Sequence, residues 1–144
     1  MIPVLLYFWI LLAFAALSFL EVAIEGKHPW ATASPGWRRN LLGNYELTAY
    51  HLWLYIMLIV YLTMPFVILG WSVQLFGLIL SAAVMGFVIE DFLWFVVNPY
   101  FPLSNFNSIE VDWYPWLKLF GFEIPWMYVG GVILSFLALF VFVF

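Results

Sequence analysis

Cysteine is absent from this chain of 144 residues, and only four residues are Lys or Arg. Disulfides, thiolate metal ligands and cysteine nucleophiles are therefore excluded. Four cations are too few for a nucleic-acid surface, so no nucleic-acid partner is expected. Charge of either sign is scarce, at 8% of residues, where soluble domains carry about 25%. The net charge of -4 says little about partners. What fills the chain is apolar: 67% hydrophobic residues and a mean hydropathy of +1.09. That balance is the signature of an integral membrane protein. Residues 1–144 read as a single integral membrane domain whose principal partner is the lipid bilayer.

A helix needs about 20 apolar residues to cross a bilayer. Four segments qualify, 2–24, 45–69, 72–97 and 125–144, and lipid forces each to be helical because it satisfies no backbone N–H or C=O. The first, MIPVLLYFWILLAFAALSFL, has no basic stretch and no cleavage motif, so it reads as a span rather than a signal peptide. Gly70-Trp71 leaves room only for a tight turn, so the second and third spans form an antiparallel hairpin. Pro65 is expected to kink the second span, and Pro99 and Pro102 to stop the third. No internal repeat is visible. The expected fold is all-α: a four-helix transmembrane bundle.

Lys27, Arg38, Arg39 and Lys118 all fall in the first and third connections. The positive-inside rule then puts both long loops in the cytoplasm and both termini outside. The third connection, YFPLSNFNSIEVDWYPWLKLFGFEI, is too polar to span. Its Trp113, Tyr114, Trp116, Phe120 and Phe122 suggest an interfacial aromatic segment along the headgroups, either an ordinary aromatic belt or a lid.

Against this background one pair of residues stands out. Glu90 and Asp91 are adjacent inside SAAVMGFVIEDFLWFVVNP, where a charge at the bilayer centre costs at least ~2.5–3.5 kcal/mol. Acids in a membrane helix are functional suspects by default. The topology gathers others at the same end: Glu21 and Glu25 on helix 1, Glu46 and His51 on helix 2, Glu110 and Asp112 in the last loop. Glu90 shares a face with Ala83, Gly86 and Trp94, whose small members let another helix approach, so it is expected to point inward. Asp91 turns about 100° away, beside Phe87, Phe95 and Asn98, toward a neighbouring helix. His51 shares its face with Thr48 and Tyr55, whereas Glu46 aligns with Tyr50.

Three outcomes could neutralise these acids. Arg38, Arg39, Lys27 or Lys118 could fold back as salt bridges, which suits Glu25, Glu46 and Asp112 best. Alternatively Glu21, Glu25, His51, Glu90 and Asp91 could bind a divalent metal such as iron, manganese or zinc, since carboxylates and imidazole from antiparallel helices build such sites. There is no Glu-x-x-His pair, so a single metal is easier to supply than a di-iron centre. In the third outcome Glu90 or Asp91 donates a proton and His51 or Glu21 acts as base on an apolar ligand. Trp53, Trp94, Phe87 and Phe95 would wall that site. His28 reads as a solvent-exposed loop residue, and haem ligation with His51 would need matched depths. Gly130 and Gly131 read as packing positions. The outer half of the bundle has almost no polar side chains, which argues against a channel or ion transporter.

The run GFVIEDFLWFVVNPYFPL, with IEGKHPWA and the histidine of TAYHLW, resembles a family of small prokaryotic multi-pass membrane proteins. They carry a Glu-Asp-Phe-Leu-Trp-Phe signature ending in Asn-Pro. The resemblance covers most of the chain and implies a prokaryotic cytoplasmic membrane, but no activity. That pattern has a histidine after the tryptophans of the last loop, where this chain has Val111-Asp112-Trp113-Tyr114-Pro115-Trp116; Asp112 could stand in as an oxygen ligand. The acids followed by aromatics, Ile89-Glu90-Asp91-Phe92-Leu93-Trp94-Phe95, are more loosely similar to lycopene cyclase-domain and emopamil-binding-type membrane isomerases. That likeness implies acid–base work on an isoprenoid or lipid. The functional expectations are thus a carboxylate/histidine site for a metal, an isomerase or cyclase with a lipid-like substrate, or a non-catalytic subunit. The last would meet a membrane-complex partner or a second copy through its aromatic surface.

Overall fold

The computed structural model describes residues 2–27, 36–42 and 45–144. Its helices are α1 (Ile2–Glu25), α2 (Ala49–Leu69), α3 (Val73–Val97) and α4 (Trp126–Phe142). The first three are long and apolar enough to cross a membrane, which marks this as a membrane protein, and α4 is a shorter apolar helix. The helical expectation holds. The all-α expectation is met, with two short hairpins added in the connections. Strands β1 (Arg38–Leu42) and β2 (Tyr45–Thr48) form one antiparallel hairpin, and β3 (Trp116–Leu119) and β4 (Phe122–Pro125) form another.

Residues 45–48 are therefore strand, not the start of the second helix. Thr48 explains the boundary. Its backbone is extended and its side chain accepts from the His51 N–H, which satisfies one of the orphan donors of a helix start. Ser72 does the same for α3 through Leu75 N–H at 3.1 Å. At the other end of α1, Gly26 adopts φ +57 and donates its N–H to Val22 O at 2.9 Å. This left-handed cap suits glycine. The cap is locked to α3 by Asn98, whose Nδ2 donates to Gly26 O at 2.9 Å while its Oδ1 accepts from Tyr100 N–H.

Helix α3 is the axis of the molecule, packed on α1 along one side and on α4 along another. Lipid tails are as apolar as leucine, so packing density rather than hydrophobicity must hold such helices together. Ile10, Phe14 and Leu17 of α1 meet Ile79, Ala82 and Ala83 of α3, with Leu54 and Leu58 of α2 closing the cluster. Gly86 gives the fully buried Phe14 ring its space: a Cβ there would lie 2.4 Å from Phe14 Cδ2. On the α4 side, a Cβ on Gly131 would lie 2.6 Å from Val88 Cγ2. Gly130 instead faces Trp126 of its own helix at 3.5 Å.

The half of the bundle away from the acids is less bare than expected. Ser81 Oγ and Ser135 Oγ lie 2.8 Å apart, Ser135 Oγ also reaches Ser81 O at 3.1 Å, and Tyr7 OH is 3.3 Å from Ser81 Oγ. Every hydroxyl proton is used if Tyr7 donates to Ser81, Ser81 to Ser135, and Ser135 to the Ser81 carbonyl. The chain ties α1, α3 and α4 together, at about 0.6 kcal/mol per interhelical bond.

The element order repeats. Helix, hairpin, helix describes α1-β1-β2-α2 and again α3-β3-β4-α4. In each half the second strand runs directly into the following helix. Trp37 O accepts from Ala49 N–H at 3.0 Å, and Pro115 O from Trp126 N–H at 3.0 Å. Gly86→Ala is expected to destabilise the protein by about 1–3 kcal/mol through overpacking, whereas Gly130→Ala should be close to neutral. Unfolding of both variants in mixed micelles checks this.

Candidate functional site

Alternating helix directions bring the end of α1, the start of α2, the end of α3 and the start of α4 together. Glu90 lies seven residues before the last residue of α3, about 10 Å along the axis. It is 8% exposed and Trp94, one turn further on, is 5% exposed. Glu90 points toward α1, and Asp91 points away toward α4. The adjacent acids thus enter two separate environments.

Glu90 lies against Glu21 of α1, close enough for the two carboxyl groups to interact. Ionised carboxylates are acceptors only, so two carboxyl groups can bond only when one carries a proton. Tyr50 of α2 donates to Glu21 Oε1 at 3.4 Å. Tyr50 and Tyr55 both lie near Glu21, Glu25 and Glu90. Glu25 itself is buried. Two polar atoms in this region are buried without a partner among the described residues: Glu90 Oε1 and Trp94 Nε1. One is an acceptor and the other a donor, and such atoms call for explanation.

Asp91 is fully engaged. Tyr114 donates to its Oδ1 at 2.5 Å, and Tyr128 of α4 donates to its Oδ2. Burial, followed by the charge of Asp91, holds the Tyr114 phenol well above its ordinary value, so it stays a donor throughout the physiological range. Over this clamp sits an aromatic cap in which Trp94, Phe95 and Val111 pack with Phe101, Phe106, Tyr114 and Trp116. Sequence reasoning placed Tyr114 in a headgroup segment, either a belt or a lid, and overlooked Tyr128. Its signal was present: a phenol in the first turn of α4 lies at the depth of the last turns of α3.

The residues expected as metal ligands, Glu21, Glu25, His51, Glu90 and Asp91, divide: Glu21 lies near both Glu90 and His51, and Asp91 is directed elsewhere. Among the described residues no three His, Asp or Glu side chains are grouped as a metal would need. Asp91 is turned to its tyrosines. His51 is buried at the cap of α2, with Nδ1 2.8 Å from Thr48 Oγ1, and shares its surroundings with Glu21 and Arg38. Among the expected walls, Trp94 lies beside Glu90. Phe87 packs on Phe14 at 4.8 Å, and Trp53 is exposed because it sits two residues from His51 on the opposite face of α2.

Asp112 and Glu110 are exposed rather than folded into the cluster. Lys118 does form an ion pair, with Glu123 at 3.0 Å. The Ser108 N–H at 2.7 Å, with Lys118, holds the Glu123 carboxyl below its ordinary range. That pairing is present at neutral pH and is lost as pH falls through the lowered value. His28 lies outside the described residues, as does the side chain of Glu46. Compared with family models, curated proteins and solved structures, the chain matches none.

Tyr114→Phe and Tyr128→Phe should each cost about 1.5–3 kcal/mol, the usual value of a hydrogen bond to a charged group. The double variant should be non-additive because both phenols serve one carboxylate; unfolding in mixed micelles measures all three. Elemental analysis after purification without chelator should find well below one metal per chain.

Proposed function

We propose that this chain is a four-span membrane protein that performs acid–base chemistry on an isoprenoid or other lipid-like substrate. The long loops lie in the cytoplasm and both termini outside, in a prokaryotic cytoplasmic membrane. Glu90 holds the proton that is delivered, with Glu21 as its partner base. The observation that carries this reading is a close contact between two acids, Glu90 and Glu21, beside a buried Glu90 Oε1 that has no partner among the described residues. An unsatisfied buried acceptor costs about 1–3 kcal/mol. A site that tolerates such a cost is a candidate for function.

The proposed step balances without a redox partner. Glu90 gives its proton to a carbon–carbon double bond, forming a C–H bond and a carbocation. A neighbouring C–H bond then breaks, its electron pair forms the shifted double bond, and its proton returns to the carboxyl pair. Trp94 lies close enough along α3 to face the cation with its indole ring. Asp91 has a positioning role in this scheme, since its phenol partners hold the aromatic cap and α4 against α3.

A second reading has its own support. The complete pairing of Asp91 and the Lys118–Glu123 ion pair are what a non-catalytic subunit of a membrane complex would show. One experiment separates the two. The protein is reconstituted in deuterated buffer with unsaturated isoprenoid lipids, and deuterium uptake into the lipid is read by mass spectrometry. Wild type should incorporate deuterium. Glu90→Gln, which keeps shape and can still hydrogen-bond Glu21, should lose about a hundredfold or more, the usual range for a general acid. Uptake unaffected by Glu90→Gln, or none in wild type with any lipid tried, sinks the enzymatic reading.

A further inference from the structure

The β3–β4 hairpin has two unlike faces. In an antiparallel pair, directly opposed residues share a face, and the register opposes Leu117 to Ile124 and Leu119 to Phe122. All four are exposed and apolar, and together they form an apolar face. The opposite face carries Trp116 and Pro125, which turn back on the protein, and the Lys118–Glu123 ion pair. Phe120 at the tip is 91% exposed. It is held there by a two-residue turn with φ +51 at Phe120 and +84 at Gly121, a costly conformation for a phenylalanine.

We propose that this hairpin is a membrane-docking element whose apolar face and tip lie at the boundary between lipid headgroups and acyl chains. Two observations commit it to lipid. First, its apolar face continues the outer surface of α4: Ile124 lines a shallow groove with Val129, Val132 and Ile133, and further along α4 Leu134, Phe136 and Leu137 are exposed. Second, the only charges on the hairpin pair with each other on the face turned from lipid. Open strand edges are not tolerated in the hydrocarbon itself, so the hairpin lies at the boundary and does not penetrate further.

The expected headgroup segment is thereby divided. Tyr114 and Trp116 belong to the internal cap, and the lipid contact falls to Leu117, Leu119, Phe120, Phe122 and Ile124. This inference stands apart from the proton chemistry at Glu90, and either can fail without the other.

The absence of native cysteine makes the test direct. Single cysteines replace Leu119, Phe120 or Phe122, with Glu110→Cys as the aqueous reference, and each is spin-labelled in phosphatidylcholine–phosphatidylglycerol vesicles. All four side chains are exposed, so the labels do not disturb the core. Collision rates with oxygen and with a water-soluble nickel chelate report depth. The ratio of oxygen to nickel accessibility should be several-fold higher at 119, 120 and 122 than at 110. Equal ratios at all four positions would overturn the proposal, placing the hairpin in water. Labels shielded from both reagents and broadened by a nearby spin would also overturn it, placing a second copy of the chain on this face.

Discussion

A carboxylate inside an apolar helix must be given donors, and Asp91 receives two phenols from two different elements. Tyr114 comes from the connection before β3 and Tyr128 from the first turn of α4. Removing either leaves the charge half-served in a setting where water cannot compensate. The position of the aromatic cap and the start of α4 both follow from this requirement. So does the entry of β4 into α4, because Tyr128 must arrive at the depth of Asp91 within three residues of Pro125.

The two halves solve the same problem in related ways. In the first, Tyr50 near the start of α2 reaches Glu21 near the end of α1. In the second, Tyr128 near the start of α4 reaches Asp91 near the end of α3. Each pair consists of an acid late in one helix and a phenol early in the next, joined through an antiparallel hairpin. The difference lies in Glu90, which crosses from the second half to the acid of the first. Asp91 is satisfied within its own half and Glu90 is not, so it is Glu90 that retains an unpartnered oxygen.

Much of this could be read from residue order. The four helices follow from the apolar runs, and the inward face of Glu90 follows from Ala83 and Gly86. The separation of Glu90 from Asp91 follows from helical geometry. The Thr48–His51–Tyr55 face was also visible, but not its use. Hydrogen bonding makes His51 part of the α2 cap, and no pattern distinguishes a capping histidine from a ligand. Strand β2 was hidden because Tyr45-Glu46-Leu47-Thr48 sits directly against an apolar helix, and hydropathy does not register where the backbone changes from extended to helical. The Asn98–Gly26 tie joins residues 72 apart, so it has no local trace.

Composition and hydropathy by themselves determined that this is a helical membrane protein, that its charges gather at one end, and that Glu90 is costly there. Those properties are local: each depends on the energy of a residue or a turn in an apolar medium. Tertiary structure alone decided which acid is neutralised by which partner. That depends on distances of a few ångströms between elements far apart in the chain. It gave Asp91 its tyrosines, His51 its cap and Glu90 the neighbouring carboxyl of Glu21.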